Sequence, residues 1–170
     1  MRLERPRDRV LVVSLAIVAV ALITWLVWPT SEEPAPRERR YQAFTACLLT
    51  DEHGLQGDLA RAAWAGMQQV SVAERVRVQY LAVSGEQSVN NAVAYFNGLA
   101  TQHCSVIVAA GEPAIGAMMR GKARFPDIRY VALGPGADGS VTTVATTSPD
   151  SIKTNIASII SQAAPPADSD

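Results

Sequence analysis

The chain carries two cysteines, two histidines and few aromatic side chains, 6% of its 170 residues. Cys47 and Cys104 are not spaced as metal ligands. No Gly-x-Gly-x-x-Gly fingerprint, Walker loop or G-x-S-x-G elbow occurs, so dinucleotide binding, P-loop chemistry and a hydrolase nucleophile all lack their usual motif. No catalytic constellation is expected, and with it no enzyme, no metal and no cofactor. From Pro29 onward eleven Lys and Arg residues face fourteen Asp and Glu, a net charge of about −3 with no basic run. Nucleic acid is not an expected partner, since phosphate binding needs a concentrated positive face. Internal repeats are absent as well.

What the sequence does have begins at once. Arg2, Arg5, Arg7 and Arg9 precede an apolar, uncharged run from Val10 to Trp28. At helical rise this run spans roughly 28 Å, enough to cross a bilayer core. The arginine cluster keeps its side in the cytoplasm and places the remainder outside. A cleavable signal has a shorter apolar core, about 7 to 15 residues, ending in small residues. Here the core ends in Trp25, Trp28 and Pro29, which suits a helix that stays in the membrane. The expected organisation is a cytoplasmic tail (1–9), a transmembrane signal anchor (10–28), a linker (29–40), one domain (41–162) and a disordered tail (163–170). The linker, PTSEEPAPRERR, is charged and rich in proline, and the tail, AAPPADSD, has little to bury.

Between linker and tail the hydrophobic period alternates between two values, the mark of strands and helices in a parallel sheet. Phe44 to Thr50 is a short apolar run of strand length. Leu59, Ala63, Met67 and Val70 then recur at helical spacing over 57–71. Val76, Val78, Tyr80 and Ala82 alternate with polar residues, as on a partly exposed edge strand. A second helix is expected over 87–102. Ser105 to Ala110 is apolar at consecutive positions, as a central strand should be. Gly111, Glu112 and Pro113 open a third helix, strands follow over 129–133 and 141–146, and a last helix from Pro149 carries the stripe Ile152, Ile156, Ile159 and Ile160. The direction of the 141–146 strand is left open by the pattern.

This order, β-α-β-α-β-α-β-β-α, predicts an α/β fold, a single Rossmann-like doubly wound parallel sheet with strand order 2-1-3-4-5, preceded by one transmembrane helix. Ligands in such sheets bind outside the carboxyl ends of the strands, at the switch between strands one and three. Thr50, Asp51, Glu52, Gly111 and Glu112 lie there and are the candidate ligand-binding residues. Asp51 and Glu52 could hold a sugar hydroxyl, a cation or a proton; the alternative is that they cap a turn. His53 in the same loop reads as solvent-exposed. His103 and Cys104 are adjacent on an extended chain and therefore point apart, which argues against a nucleophile pair. Trp64 reads as packing rather than a stacking platform, and Met118 and Met119 as core. For the cysteines, straight strands would stagger Cys47 and Cys104 by about 10 Å, which favours two buried thiols over a bridge while leaving both readings open.

Ala46 to Gln68 (ACLLTDEHGLQGDLARAAWAGMQ) and Ser105 to Gly134 (SVIVAAGEPAIGAMMRGKARFPDIRYVALG) resemble two blocks of the basic membrane protein family of ABC-transporter substrate-binding proteins. Thr50, Asp51, Gly54, Gly57, Ala63, Trp64 and Gly66 stand in the matching places of the first block, and the Phe125-Pro126-Asp127 turn in those of the second. The resemblance implies one lobe, the amino-terminal one, of a type I periplasmic-binding-protein fold, a class whose members capture purine nucleosides. It also implies departures. The family's stacking Phe and its Asn are Leu59 and Ala60 here, its strand-end Asp is Gly134, and the second lobe is missing. Two functions are therefore expected: a membrane-anchored extracytoplasmic lobe that binds or senses a small ligand without catalysis, or a degenerate cell-envelope module that binds a protein. A homodimer would supply the missing wall in the first case, and an envelope protein would be the partner in the second.

Overall fold

The structure is a computed structural model that describes residues 15–23 and 43–166. The chain divides into two compact units, 1–38 and 39–170. In the first, residues 15–23 are helical, with Leu15, Ile17, Val18, Val20, Leu22 and Ile23 exposed. Among the described residues no helix is long and apolar enough to cross a membrane. The described stretch covers only part of the anchor expected over 10–28; the rest of that expectation, with the tail over 1–9 and the linker over 29–40, lies outside the described residues.

The second unit is an α/β domain. Its elements are β1 (Thr45–Thr50), α1 (Asp58–Glu74), β2 (Arg77–Ala82), α2 (Val89–Thr101), β3 (Val106–Ala110), α3 (Glu112–Gly121), β4 (Arg129–Leu133), β5 (Thr142–Val144) and α4 (Pro149–Ala163). Short 3-10 turns, Gly54–Gln56 and Lys122–Arg124, precede α1 and follow α3. All five strands are parallel, in the order β2-β1-β3-β4-β5, as the sequence predicts. The direction of β5, left open by its sequence, is parallel to β4.

Local chemistry accounts for the helix starts. Ser88 Oγ accepts the Asn91 amide and caps α2. Ser148 and Ser151 form a reciprocal capping box on α4, with Pro149 in the first turn where its missing amide costs nothing. Gly111, at φ 91, turns the chain from β3 into α3, a conformation that side chains with a Cβ rarely adopt. That helix opens at Glu112 with Pro113 in its first turn, as the sequence suggests.

Strand alternation sorts the core into two faces. Ala46 and Leu48 point to the side covered by α1 and α4, where Ala63, Met67, Val70, Ile152, Ile156 and Ile160 are buried. Cys47 and Leu49 point to the side covered by α2 and α3, among Phe96, Leu99, Ile107, Ile115 and Met118. The isoleucine stripe of α4 is thus a docking face, and the two methionines pack in or against the core. β3 is buried throughout, whereas β2 is half-buried or exposed along its length, as an edge strand should be.

The connection from β4 to β5 departs from the usual pattern. Parallel crossovers usually take a dozen or more residues with a helix, yet residues 134–141 cross back without one. Positive φ at Gly134 and Gly136 makes the tight turn. Lys122 ties the far end by reaching Ser140 Oγ and, at 3.6 Å, the Asp138 carboxylate.

Cys47 and Cys104 form a disulfide, their Cα atoms 5.9 Å apart. The straight-strand stagger that favoured two thiols does not hold, because Cys104 is not an extension of β3. His103 takes a left-handed conformation, φ 60, which folds the chain over the sheet before Ser105 pairs with Thr45. Gln79 of β2 closes over the bridge, its Nε2 lying 3.2 Å from Cys47 Sγ and 3.6 Å from Cys104 Sγ.

Candidate functional site

The carboxyl ends of β1 and β3 are neighbours in the sheet, so the loops after Thr50 and Ala110 rise side by side. Asp51 and Gly111 face each other across this switch point. A Cβ built on Gly111 would stand 3.7 Å from Asp51 Oδ2; the missing side chain leaves that oxygen open on this side. The other carboxylate oxygen, Oδ1, accepts the His53 amide at 3.0 Å, while the Asp51 carbonyl accepts the Gly54 amide at 3.1 Å. Asp51 therefore shapes its own turn with one oxygen and presents the other.

The other candidates divide into scaffold and surface. Thr50 is fully buried; its Oγ1 donates to the Asp51 carbonyl at 3.0 Å and its own carbonyl accepts the Val83 amide at 3.0 Å. It holds the loop from beneath. Glu52 and Glu112 are exposed beside Asp51 and Gly111, and His53 is exposed as expected.

Gln87 and Asn91, which no hydrophobic pattern marks, join the neighbouring loop to this site. Gln87 Oε1 accepts the Glu52 amide at 3.2 Å, while its Nε2 donates to the carbonyls of Val83 at 3.0 Å and Gly85 at 3.1 Å. Asn91 Nδ2 donates to the Ser84 and Glu86 carbonyls at 2.8 Å each, and Tyr95 adds a bond to Ser84 at 3.1 Å. The available signal was a pair of amides four residues apart around the Ser88 helix cap.

Several residues of interest lie elsewhere. Trp64 meets Tyr80 edge-on, with ring centroids 5.5 Å apart, and packs against the core as the sequence suggests. Leu59 is half-buried against the same core and Ala60 is buried in it. Cys104 is oxidised, so His103 has no thiol beside it. Hydrogen bonds from Ser140 lower the Asp138 carboxyl below its ordinary range, helped by nearby Lys122, but this pair belongs to the β4–β5 crossover. Among the described residues no three His, Cys, Asp or Glu side chains converge as metal ligands. Two clefts of about 220 and 270 Å³ lie between α1 and α4, away from the Asp51–Gly111 pair.

Among solved structures, the chain is similar to a fragment assigned as a lipoprotein of Peptoclostridium difficile 630, with TM-score 0.59 and 10% identity over 71% of this chain and 98% of that one. It is also similar to an ABC transporter solute-binding protein of Aeropyrum pernix K1, with TM-score 0.46 and 16% identity over 58% of this chain and 27% of that one. A 5-methylthioribose transporter solute-binding protein of Thermotoga lettingae TMO, solved with 5-methylthioribose, matches with TM-score 0.43 and 16% identity over 69% of this chain and 46% of that one. The chain thus spans less than half the length of these two transporter proteins. No family model and no curated protein matches the chain. At these identities the likeness concerns the α/β fold alone. The narrower resemblance to the basic membrane protein family rests only on the residues that suggested it.

Proposed function

We propose that the chain is a membrane-anchored, extracytoplasmic lobe that binds a small polar ligand at its strand-end edge and performs no chemistry on it. The observation that carries this reading is the Asp51 carboxylate facing the side-chain-free Gly111 at the switch point of the sheet, where doubly wound folds hold their ligands. The open oxygen of Asp51 would accept from a ligand hydroxyl or ammonium group. Glu52 and Glu112 would line the rim, and Thr50 would position Asp51 without touching the ligand. The arginine cluster and the apolar run support the anchor. The disulfide supports an oxidising compartment for the domain, since such bonds are rare in the cytosol.

A single lobe offers one wall, whereas small-molecule sites commonly bury 70–90% of their ligand. A second copy or an envelope protein would complete the cleft. The second reading, a module that has kept the fold and now binds a protein, is favoured by Leu59 and Ala60. Both are absorbed into packing where the resemblance would place an aromatic ring and an amide.

A thermal-shift screen of the full chain in detergent against sugars, amino acids and nucleosides tests the first reading. A ligand at 100 times its dissociation constant stabilises by about 2.7 kcal/mol, and Asp51→Ala should abolish the shift. No shift with any class would remove the ligand-binding reading and leave the protein-binding one.

A further inference from the structure

The parallel sheet collects charge of opposite sign at its two ends. At the amino-terminal ends of the strands, Arg77 opens β2 opposite Thr45, and Arg129 opens β4 opposite Val106. These two arginines stand three strand spacings apart, about 14 Å. Arg75 lies two residues before Arg77, His103 two before Ser105, and Arg124 in the turn after α3; all are exposed. The acids on this edge are Glu74, which accepts the Ser161 hydroxyl, Asp127, and Asp138, which Lys122 pairs at 3.6 Å. Arg75, Arg77 and Arg129 have no carboxylate partner among the described residues, and Arg124 bonds only to Asn97 Oδ1 and lies over the Phe125 ring. The opposite edge carries Asp51, Glu52, Glu86 and Glu112.

We propose that this arginine edge docks on an anionic lipid surface, so that the strand-end edge with Asp51 faces away from the membrane. Two features of the chain favour lipid over another polyanion. The described domain begins at the arginine edge, where the Phe44 carbonyl accepts the Arg77 amide, and the preceding sequence puts only a short, charge-balanced tether, with Arg37, Arg39 and Arg40 against Glu32, Glu33 and Glu38, between it and the apolar run. A short tether holds the domain at high effective concentration over the bilayer, so weak attraction per arginine suffices. The acidic far edge is repelled by the same surface, which fixes the orientation. The proposal rests on the anchor in the reading above.

The test is hydrogen exchange on the full chain in nanodiscs of phosphatidylcholine, with and without phosphatidylglycerol. Residues 75–77, 103–105 and 124–129 should exchange at least about tenfold more slowly in the anionic discs, with 51–54 and 111–113 unchanged. The protection should vanish at molar salt, where screening falls to about 3 Å, and in R75Q/R77Q/R129Q, but survive in R61Q/K153Q. Equal exchange in both disc types overturns the proposal, as does protection by soluble heparin without protection by anionic discs. Flotation with neutral discs reports on the anchor separately. Should the chain fail to float, co-sedimentation with phosphatidylglycerol vesicles decides the edge: binding lost in the triple variant upholds it, and no binding overturns it.

Discussion

Gly66 of α1 lies directly against the Lys153 carbonyl of α4, with no room for a side chain between them. A Cβ there would also stand 3.2 Å from the Lys153 carbonyl carbon and 3.3 Å from the Ala157 amide nitrogen. The obstacle is backbone, which cannot rotate aside. Ala62 and Ala63 on the same helix keep neighbouring positions small, and the pair of helices covers one face of the sheet. Gly66→Ala must push α4 outward and partly uncover Ile152 and Ile156. Overpacking of this kind costs about 1–3 kcal/mol, offset only in part by the better helix propensity of alanine, about 1 kcal/mol. Urea unfolding should show a net loss. A variant as stable as the parent would mean that the helices are not this close.

The Cys47–Cys104 bridge spans a sequence separation of 57 residues, and the chain-entropy account assigns such a loop about 4 kcal/mol of stability. Reduction of the purified chain should lower its urea midpoint accordingly. C47A/C104A should resemble the reduced protein, and neither should respond further to reductant. An unchanged midpoint on reduction would show that the thiols are not joined.

Burial pushes the Tyr130 hydroxyl up to about 12 from its ordinary 10.0, and the group donates to the Phe125 carbonyl at 2.8 Å. The unfolded chain therefore releases this proton first. The stability it contributes is complete below pH 10 and is lost as pH rises from 10 towards 12. Melting temperature followed through that window should fall more steeply for the parent than for Tyr130→Phe, which has nothing to ionise there. Parallel slopes would count against the burial.

How much of this could be read beforehand depended on whether the signal was local. The sheet order was legible because Ala46 to Leu49 and Val106 to Ala110 are apolar at consecutive positions while Arg77 and Gln79 interrupt β2, a contrast that separates central strands from an edge. The disulfide was not legible as such, because it depends on a left-handed His103 that no periodicity marks. Gly66 was visible as part of a motif, but its cause, the Lys153 backbone, lies 87 residues away in α4. Of the candidate site, Asp51 and Gly111 could be placed by topology alone. Gln87 and Asn91 could not, since polar loop residues declare themselves only by what they bond. The arginine edge was hidden for the same reason: four residues scattered from 75 to 129 become neighbours only when the strands align.

Nucleosides are the ligand class that the sequence resemblance suggests. Binding in that mode needs a ring to stack on the base and an amide to hold the sugar, at the positions of Leu59 and Ala60. Leu59 is half-buried against the core and Ala60 is buried within it, so neither can be recruited without disturbing α1. Base stacking on an aromatic contributes about 1–3 kcal/mol, and leaving a polar group without its partner costs about as much again. Their joint loss weakens binding by several powers of ten even with Asp51 in place. Calorimetry on the full chain should therefore find no submicromolar affinity for adenosine, guanosine or inosine. Tight binding of any of them, abolished by Asp51→Ala, would show that the strand-end edge recognises the base through contacts other than those two positions.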